Sequence, residues 1–289
     1  MNKQIIGFIG TGVMGKSMAA HLLKAGYTVH IYNRSKEKAK ELITEGAIWH
    51  DSVSEVAEIA DVIITIVGYP RDVEDIYLKE DGIIAKAKKG SYVVDMTTSS
   101  PKLAEKIYEK AKEKEIFALD APVSGGDIGA KNGTLTIMVG GDERAFNELL
   151  PIFNVMGKNI VYQGRSGAGQ HTKMSNQIAI AANMLGVAEA LSYAVKAGLD
   201  PEKVLASIGA GAAGSWSLNN LAPRMLKGDF APGFYIKHFL KDMEIALNSA
   251  KELGLNTPAL SLAKIIYEDL KAKGEEDSGT QAIFKWYIN

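Results

Sequence analysis

Six residues near the start of the chain, Gly10-Thr11-Gly12-Val13-Met14-Gly15, restrict what it can fold into more than any other stretch. They follow a short apolar run, Ile5-Ile6-Gly7-Phe8-Ile9, and lead without a proline into helix-favouring sequence from Lys16 to Ala25. G-x-G-x-x-G spacing is informative only in that strand-turn-helix setting, where each glycine has its own steric duty. Gly10 turns the chain sharply, Gly12 leaves room for a pyrophosphate against the backbone, and Gly15 lets helix and strand close up. The free N–H groups at the helix start then face the phosphates. Gly26 ends the helix, and Thr28-Val29-His30-Ile31-Tyr32 supplies a second strand. The stretch predicts a dinucleotide-binding unit with Gly10, Thr11, Gly12, Val13, Met14 and Gly15 lining the cofactor.

A unit of this kind that takes NAD usually carries a carboxylate at the end of its second strand for the ribose 2′-hydroxyl. This chain has Asn33-Arg34-Ser35 there. Arg34 can meet a 2′-phosphate with its planar fork, and Asn33 and Ser35 add neutral donors, so NADP(H) is expected over NAD(H). Further strand-like runs at Val62–Val67, Ser91–Asp95, Phe117–Asp120 and Leu135–Val139 are mostly separated by charged amphipathic helices. That alternation predicts an α/β fold with a Rossmann-type, doubly wound parallel sheet whose ligands sit beyond the C-terminal strand ends. Val67 and Gly68 lie at one such end, on the expected cofactor side. At another, Ser99 or Ser100 is expected to cap the helix that Pro101 starts. At a third, a proline-fixed turn leads into Ser124, Gly125 and Gly126, exposing backbone N–H groups beside a hydroxyl in a way that suits a carboxylate.

After Asn159-Ile160-Val161-Tyr162 no strand-like run recurs and helical patterns continue to the end. Two domains follow: residues 1–163 for the dinucleotide, and an all-helical 164–289. The segment Gln170 to Gly198, with Met174, Ile178, Ala181, Leu185, Ala188 and Leu191 at helical spacing, reads as a long inter-domain helix and the spine of the second domain. Near its start Lys173, Asn176 and Gln177 stand at i, i+3 and i+4, on one face. A lysine there can give or take a proton while the amides hold a substrate oxygen. Further on, Phe239, Met243, Ala246, Leu247 and Ala250 form an apolar stripe that leaves Lys241 aside, and by itself Lys241 reads as solvated. His171 and His238 are the other acid-base candidates, and the five histidines show no metal-ligand spacing, so no metal is expected.

A formal charge of -1 provides no global field for nucleic acid or an anionic membrane, so the partner is expected to be a small molecule. The absence of cysteine removes disulfides, thiolate metal sites and a cysteine nucleophile. A start that leads directly into a strand, without an apolar run of about 18 residues, points to a soluble, cytoplasmic chain. The apolar faces of the long helix and of its helical domain point to a homodimer or homotetramer.

Gly7-Phe8-Ile9-Gly10-Thr11-Gly12-Val13-Met14-Gly15, Asp120-Ala121-Pro122-Val123-Ser124-Gly125-Gly126, Gly164-x-x-Gly167-x-Gly169-x-x-x-Lys173-x-x-Asn176-Gln177 and Lys241-Asp242 occur in that order over nearly the whole chain. Together they resemble the β-hydroxyacid dehydrogenase family. The resemblance implies hydride transfer between a nicotinamide and a short β-hydroxy acid or semialdehyde acid. It makes Lys173 the proton donor or acceptor and Asn176 its neighbour, with Ser124, Gly125 and Gly126 on the substrate carboxylate. It places Thr98 against the cofactor and Lys241 at the nicotinamide, and Gln177 stands where many 3-hydroxyisobutyrate dehydrogenases have a second asparagine. Tartronate-semialdehyde and glyoxylate or succinic-semialdehyde reductases often resemble the chain here. Related 6-phosphogluconate dehydrogenases usually place a histidine next to that asparagine, unlike Ser175-Asn176-Gln177, and have a much longer helical domain. A non-catalytic cofactor-binding module on the same fold would have lost the lysine.

Overall fold

The structure, a computed structural model, describes residues 4–288. Its first half runs β1 (Ile6–Ile9), α1 (Val13–Lys24), β2 (Val29–Tyr32), α2 (Lys40–Thr44), β3 (Ile48–Trp49), α3 (Val53–Ile59), β4 (Val62–Thr65), α4 (Pro70–Leu78), α5 (Ile83–Lys86), β5 (Tyr92–Asp95), α6 (Pro101–Glu113) and β6 (Phe117–Asp120). It continues through β7 (Val123–Ser124), α7 (Gly126–Asn132), β8 (Leu135–Gly141), α8 (Glu143–Met156) and β9 (Gly157–Gly164). Helices alone follow: α9 (Ala168–Lys196), α10 (Pro201–Ile208), α11 (Trp216–Asn220), α12 (Ala222–Leu226), α13 (Ile236–Glu252), α14 (Pro258–Ala272) and α15 (Ile283–Ile288). Two compact units part between Lys173 and Met174, so the first turns of α9 go with the strands.

In the first unit the strands lie in the order β3-β2-β1-β4-β5-β6-β8-β7, with β9 paired to β8. From β3 to β6 every neighbouring pair is parallel. The strands β1, β4 and β6 are almost entirely buried, as expected when helices cover both faces. The chain runs outward from β1 to one side and then returns to β4 on the other, which opens a crevice beyond the ends of those two strands. One sequence expectation needs correction here: Leu135–Val139 does not continue the parallel set from β6, because β8 runs antiparallel to β6 and to β7 and is parallel to β9. The linker between β6 and β8 contains only the two-residue β7 and the seven-residue α7. Through them the chain turns back, and β8 comes back beside the strand it left.

Two apolar layers flank the sheet. One joins Ile6, Phe8, Ile64 and Val94 to Met18 and Leu22 of α1 and to Leu149 and Phe153 of α8. The other joins Ile9, Ile63 and Val93 to Val56, Val73, Tyr77 and Ile107. The second unit has its own core, in which Met174, Ala181, Leu185, Ala188 and Leu191 of α9 pack with Phe239, Met243 and Ala246 of α13 and with Leu260, Ala263 and Tyr267 of α14. By length and composition α9 is apolar enough to cross a membrane. In this fold its apolar stripe is the spine of the helical core.

Candidate active site

The loop after β1 folds as its glycines require. Gly10 has φ 99°, and a Cβ there would lie 2.1 Å from the Ile66 carbonyl oxygen. A Cβ at Gly15 would fall 1.9 Å from the Gly10 carbonyl oxygen, so α1 touches the loop backbone directly. Gly12 differs, since a Cβ there would meet nothing within 4 Å. It is exposed, as is Val13, while Met14 is half-buried. Gly12 is also the N-cap of α1 and brings no side chain to the first N–H groups of the helix. Beside it, Thr11 is 2% exposed and its Oγ1 has no hydrogen-bond partner among the described residues. Open backbone, free helix donors and an orphaned hydroxyl together fit a pyrophosphate.

Asn33 braces this loop from the end of β2. Its Oδ1 accepts from the Thr11 N–H at 3.1 Å, and its Nδ2 donates to the Ser35 carbonyl at 2.9 Å. Arg34 reaches outward with 82% of its side chain exposed and its guanidinium 3.4 Å from Asp72 Oδ1. Asp72 also accepts from the Tyr69 N–H through Oδ2, which fixes the turn after Val67 and Gly68. The Val67 N–H is committed to Thr97 Oγ1 at 3.0 Å. Val67 and Gly68 are both half-buried.

The ends of β5 and β6 carry two buried carboxylates side by side, Asp95 opposite Asp120. Asp95 Oδ1 accepts from Thr65 Oγ1 and from the Thr97 N–H. Burial raises its carboxyl to about 6, against the lowering effect of those hydrogen bonds. Asp120 is likewise raised by burial, though its oxygens accept from the Gly167 and Gln170 N–H groups at 2.8 Å each. It thus stands where an N-cap side chain would, across 47 and 50 residues of sequence. Gly169 completes the joint: a Cβ there would lie 2.6 Å from the Asp120 carbonyl oxygen.

Gln170, fully buried, bridges from α9 to the loop after β5. Its Oε1 accepts from the Ser99 N–H at 2.9 Å, and its Nε2 donates to the Thr97 carbonyl at 2.7 Å. Thr98 lies between those two residues and is half-buried. The expected serine cap of α6 does not form, since Ser100 holds the N-cap position without a side-chain bond. Ser99 is turned inward and its backbone is held by Gln170. One turn further along α9, Lys173 is 7% exposed. On β7 and into α7, Ser124 and Gly126 are half-buried and Gly125 is exposed, with φ 128° and 63° at the two glycines.

In the second unit, Asn176 Nδ2 donates to Gln177 Oε1 at 2.7 Å and Gln177 Nε2 donates to Asp242 Oδ2 at 2.6 Å. Lys241 Nζ lies 2.9 Å from Asp242 Oδ1, with 12% of its side chain exposed. The solvated Lys241 expected from helical spacing is therefore not found: the adjacent carboxylate draws the ammonium in. Gln177 is fully buried and links Asn176 to Asp242. His238 is half-buried, and burial, then the nearby Lys241 ammonium, lowers its imidazole below the usual value. Sequence reasoning did not single out Asp120 as a helix cap, nor Gln170 and Gln177 as bridges. The one signal for Gln170 was an amide side chain one turn before the lysine. Among the described residues, no cluster of three or more histidine, aspartate or glutamate side chains could hold a metal.

Comparison with known proteins gives two consecutive family matches along the chain. Residues 5–164 match the family described as the NAD binding domain of 6-phosphogluconate dehydrogenase, and residues 167–287 match the NAD-binding domain of NADP-dependent 3-hydroxyisobutyrate dehydrogenase. An uncharacterized oxidoreductase of Bacillus subtilis is 64% identical over 286 residues, covering 99% of each chain. The 2-hydroxy-3-oxopropionate reductase of Escherichia coli is 40% identical over 269 residues, 93% of this chain and 92% of the reductase. The structure of Mycobacterium tuberculosis 3-hydroxyisobutyrate dehydrogenase with L-serine superimposes with a TM-score of 0.92 at 30% identity, covering 99% of both chains.

Proposed function

Because this chain belongs to the β-hydroxyacid dehydrogenase family, an NAD(P)-dependent enzyme group, we propose that it interconverts a short semialdehyde acid and the matching β-hydroxy acid with NADP(H), using Lys173 as the acid-base group. The observation that carries this reading is the burial of Lys173 on a helix start that Asp120 and Gln170 tie to the strand ends. A cofactor at Thr11 to Gly15 would lie along those same ends, and when bound its nicotinamide supplies or accepts the hydride. The chain's own residues do the rest. Ser124 Oγ, with the backbone of Gly125 and Gly126, holds the substrate carboxylate. Lys173 gives a proton to the carbonyl oxygen as it becomes an alkoxide, or removes it in the oxidative direction. The family resemblance assigns Asn176 and Lys241 to the reacting group as well, and within the second unit the linkage through Gln177 and Asp242 holds both side chains in place. His238 is a poor proton donor near neutral pH, because its lowered imidazole is already neutral there.

The preference for NADP(H) is supported by the missing carboxylate after β2 and by Arg34, whose exposed fork is held by Asp72. It also agrees with the NADP-dependent description of the matching family. An assembly of two or four copies is supported by exposed Tyr193, Trp216, Leu253 and Ile265 in the second unit, and light scattering at micromolar concentration tests it. The acid-base assignment is tested by Lys173→Arg, which keeps charge and reach but does not release its proton. With NADPH and glyoxylate, succinic, tartronate or methylmalonate semialdehyde as substrates, kcat is expected to fall about 10²–10⁴-fold with cofactor affinity nearly kept. A near-normal kcat in Lys173→Arg would leave the lysine only an electrostatic role.

A further inference from the structure

The loop after β5 and the first turns of α9 are 71 residues apart in sequence and are tied together by one side chain. Gln170 accepts from the Ser99 N–H with Oε1 and donates to the Thr97 carbonyl with Nε2, at 2.9 and 2.7 Å. It is fully buried, so neither bond is exchanged with solvent, and neither loop atom keeps this partner if the amide is lost. The same turn is fixed independently, because the Gln170 N–H donates to Asp120 Oδ2. Thr97 is held further by its own N–H to Asp95 and by its Oγ1, which accepts from the Val67 N–H. The one residue between the clamped backbone groups is Thr98, and one turn beyond the clamp is Lys173.

We propose that Gln170 is a positioning residue that sets the spacing between the loop carrying Thr98 and the helix turn carrying Lys173. This inference rests on the acid-base role given to Lys173. On that reading, with Thr98 against the cofactor as the family resemblance implies, hydride transfer and proton transfer occur at neighbouring atoms of one substrate, the first on the Thr98 side and the second on the Lys173 side. An amide that bridges both backbones locks their separation. A methylene-sized slip there changes both reacting distances together, and a misplacement of about 1 Å is worth about 10²-fold in rate. Glutamine suits the position because it has one acceptor and one donor at the end of a single side chain, matching one N–H and one carbonyl in the same loop.

The test is Gln170→Met, which keeps length and volume and removes both bonds, assayed well below its Tm. Single-turnover oxidation of NADPH by the best semialdehyde is expected to slow about 10–100-fold. Substrate KM and the Kd for NADPH, measured by binding alone, should stay within about threefold, as expected for an interaction used chiefly in the transition state. In enzyme without cofactor, amide hydrogen exchange at Ser99 should speed up against wild type, reporting the broken clamp independently of activity. Should Gln170→Met be too unstable to assay, Gln170→Leu likewise removes both bonds and carries the same kinetic expectations. If Lys173→Arg abolishes turnover while both Gln170 variants keep the single-turnover rate, the clamp is merely structural and the inference is overturned. If Lys173→Arg itself turns over normally, the reading of Lys173 has failed and this inference falls with it.

Discussion

The three glycines of the first loop should separate experimentally, because only some of them touch protein. In Gly15→Ala the new methyl would sit 1.9 Å from the Gly10 carbonyl oxygen and 2.8 Å from Ile66 Cγ2. An ordinary carbon-oxygen contact is about 3.3 Å, so backbone must move against backbone by more than an ångström. Overpacking usually costs about 1–3 kcal/mol, and a clash between two main-chain segments lies at or beyond the upper end, near 3 kcal/mol. At about 2–4 °C per kcal/mol for a unit of this size, Tm should fall by about 6–12 °C. Gly12→Ala meets nothing within 4 Å and has φ −72°, which alanine adopts freely. The weaker N-cap costs up to about 1 kcal/mol. Reduced freedom of the unfolded chain offsets that by about 0.4–1 kcal/mol, so Tm should move by no more than about 3 °C. The methyl instead occupies the face left for the pyrophosphate, and cofactor Kd should rise about 10–100-fold. Calorimetry on cofactor-free protein, with a binding titration alongside, reads both effects. The steric reasoning is refuted if Gly12→Ala loses as much Tm as Gly15→Ala, or if it binds cofactor as tightly as wild type.

Two further outcomes follow from charged groups. Arg34→Asp should raise KM for NADPH by an order of magnitude or more while NADH use is kept or improved; an unchanged cofactor preference would remove Arg34 from the site. Asp95 is raised to about 6 by burial, so between about pH 4 and 6 the folded chain keeps a proton that the unfolded chain has released. Stability is therefore lost as pH rises through that window, by about 3 kcal/mol in the ideal case. Asp95→Asn should be near neutral in effect at pH 4 and gain Tm relative to wild type above pH 6. A Tm difference that is flat from pH 4 to 8 would contradict the assignment.

Much of the fold was legible because local stretches carried it. Gly10 and Gly15 have the steric roles their spacing implies, and Gly26 ends α1 with φ 80°. What the sequence hid depends on contacts between distant residues. The direction of β8 shows only in its antiparallel pairing with β6 and β7, which a strand pattern alone does not report. Lys241 reads as solvated by helical spacing and is drawn in by the residue next to it. The bonds from Asp120 to Gly167 and from Gln170 to Ser99 span 47 and 71 residues, and a polar side chain at such a position looks no different in sequence from one in water.

The carboxylate of Asp120 also bears on how this protein can be dissected. A fragment ending at Gly164, where the strands stop, would lack the Gly167 and Gln170 N–H groups that meet Asp120. Hydrogen bonds to a charged group contribute about 1.5–3 kcal/mol each, so the loss of both takes a large share of a domain's stability. A fragment ending at Lys173 keeps both donors. The compact first unit therefore includes the beginning of the helix that also serves as the spine of the second core, and Lys173 travels with it.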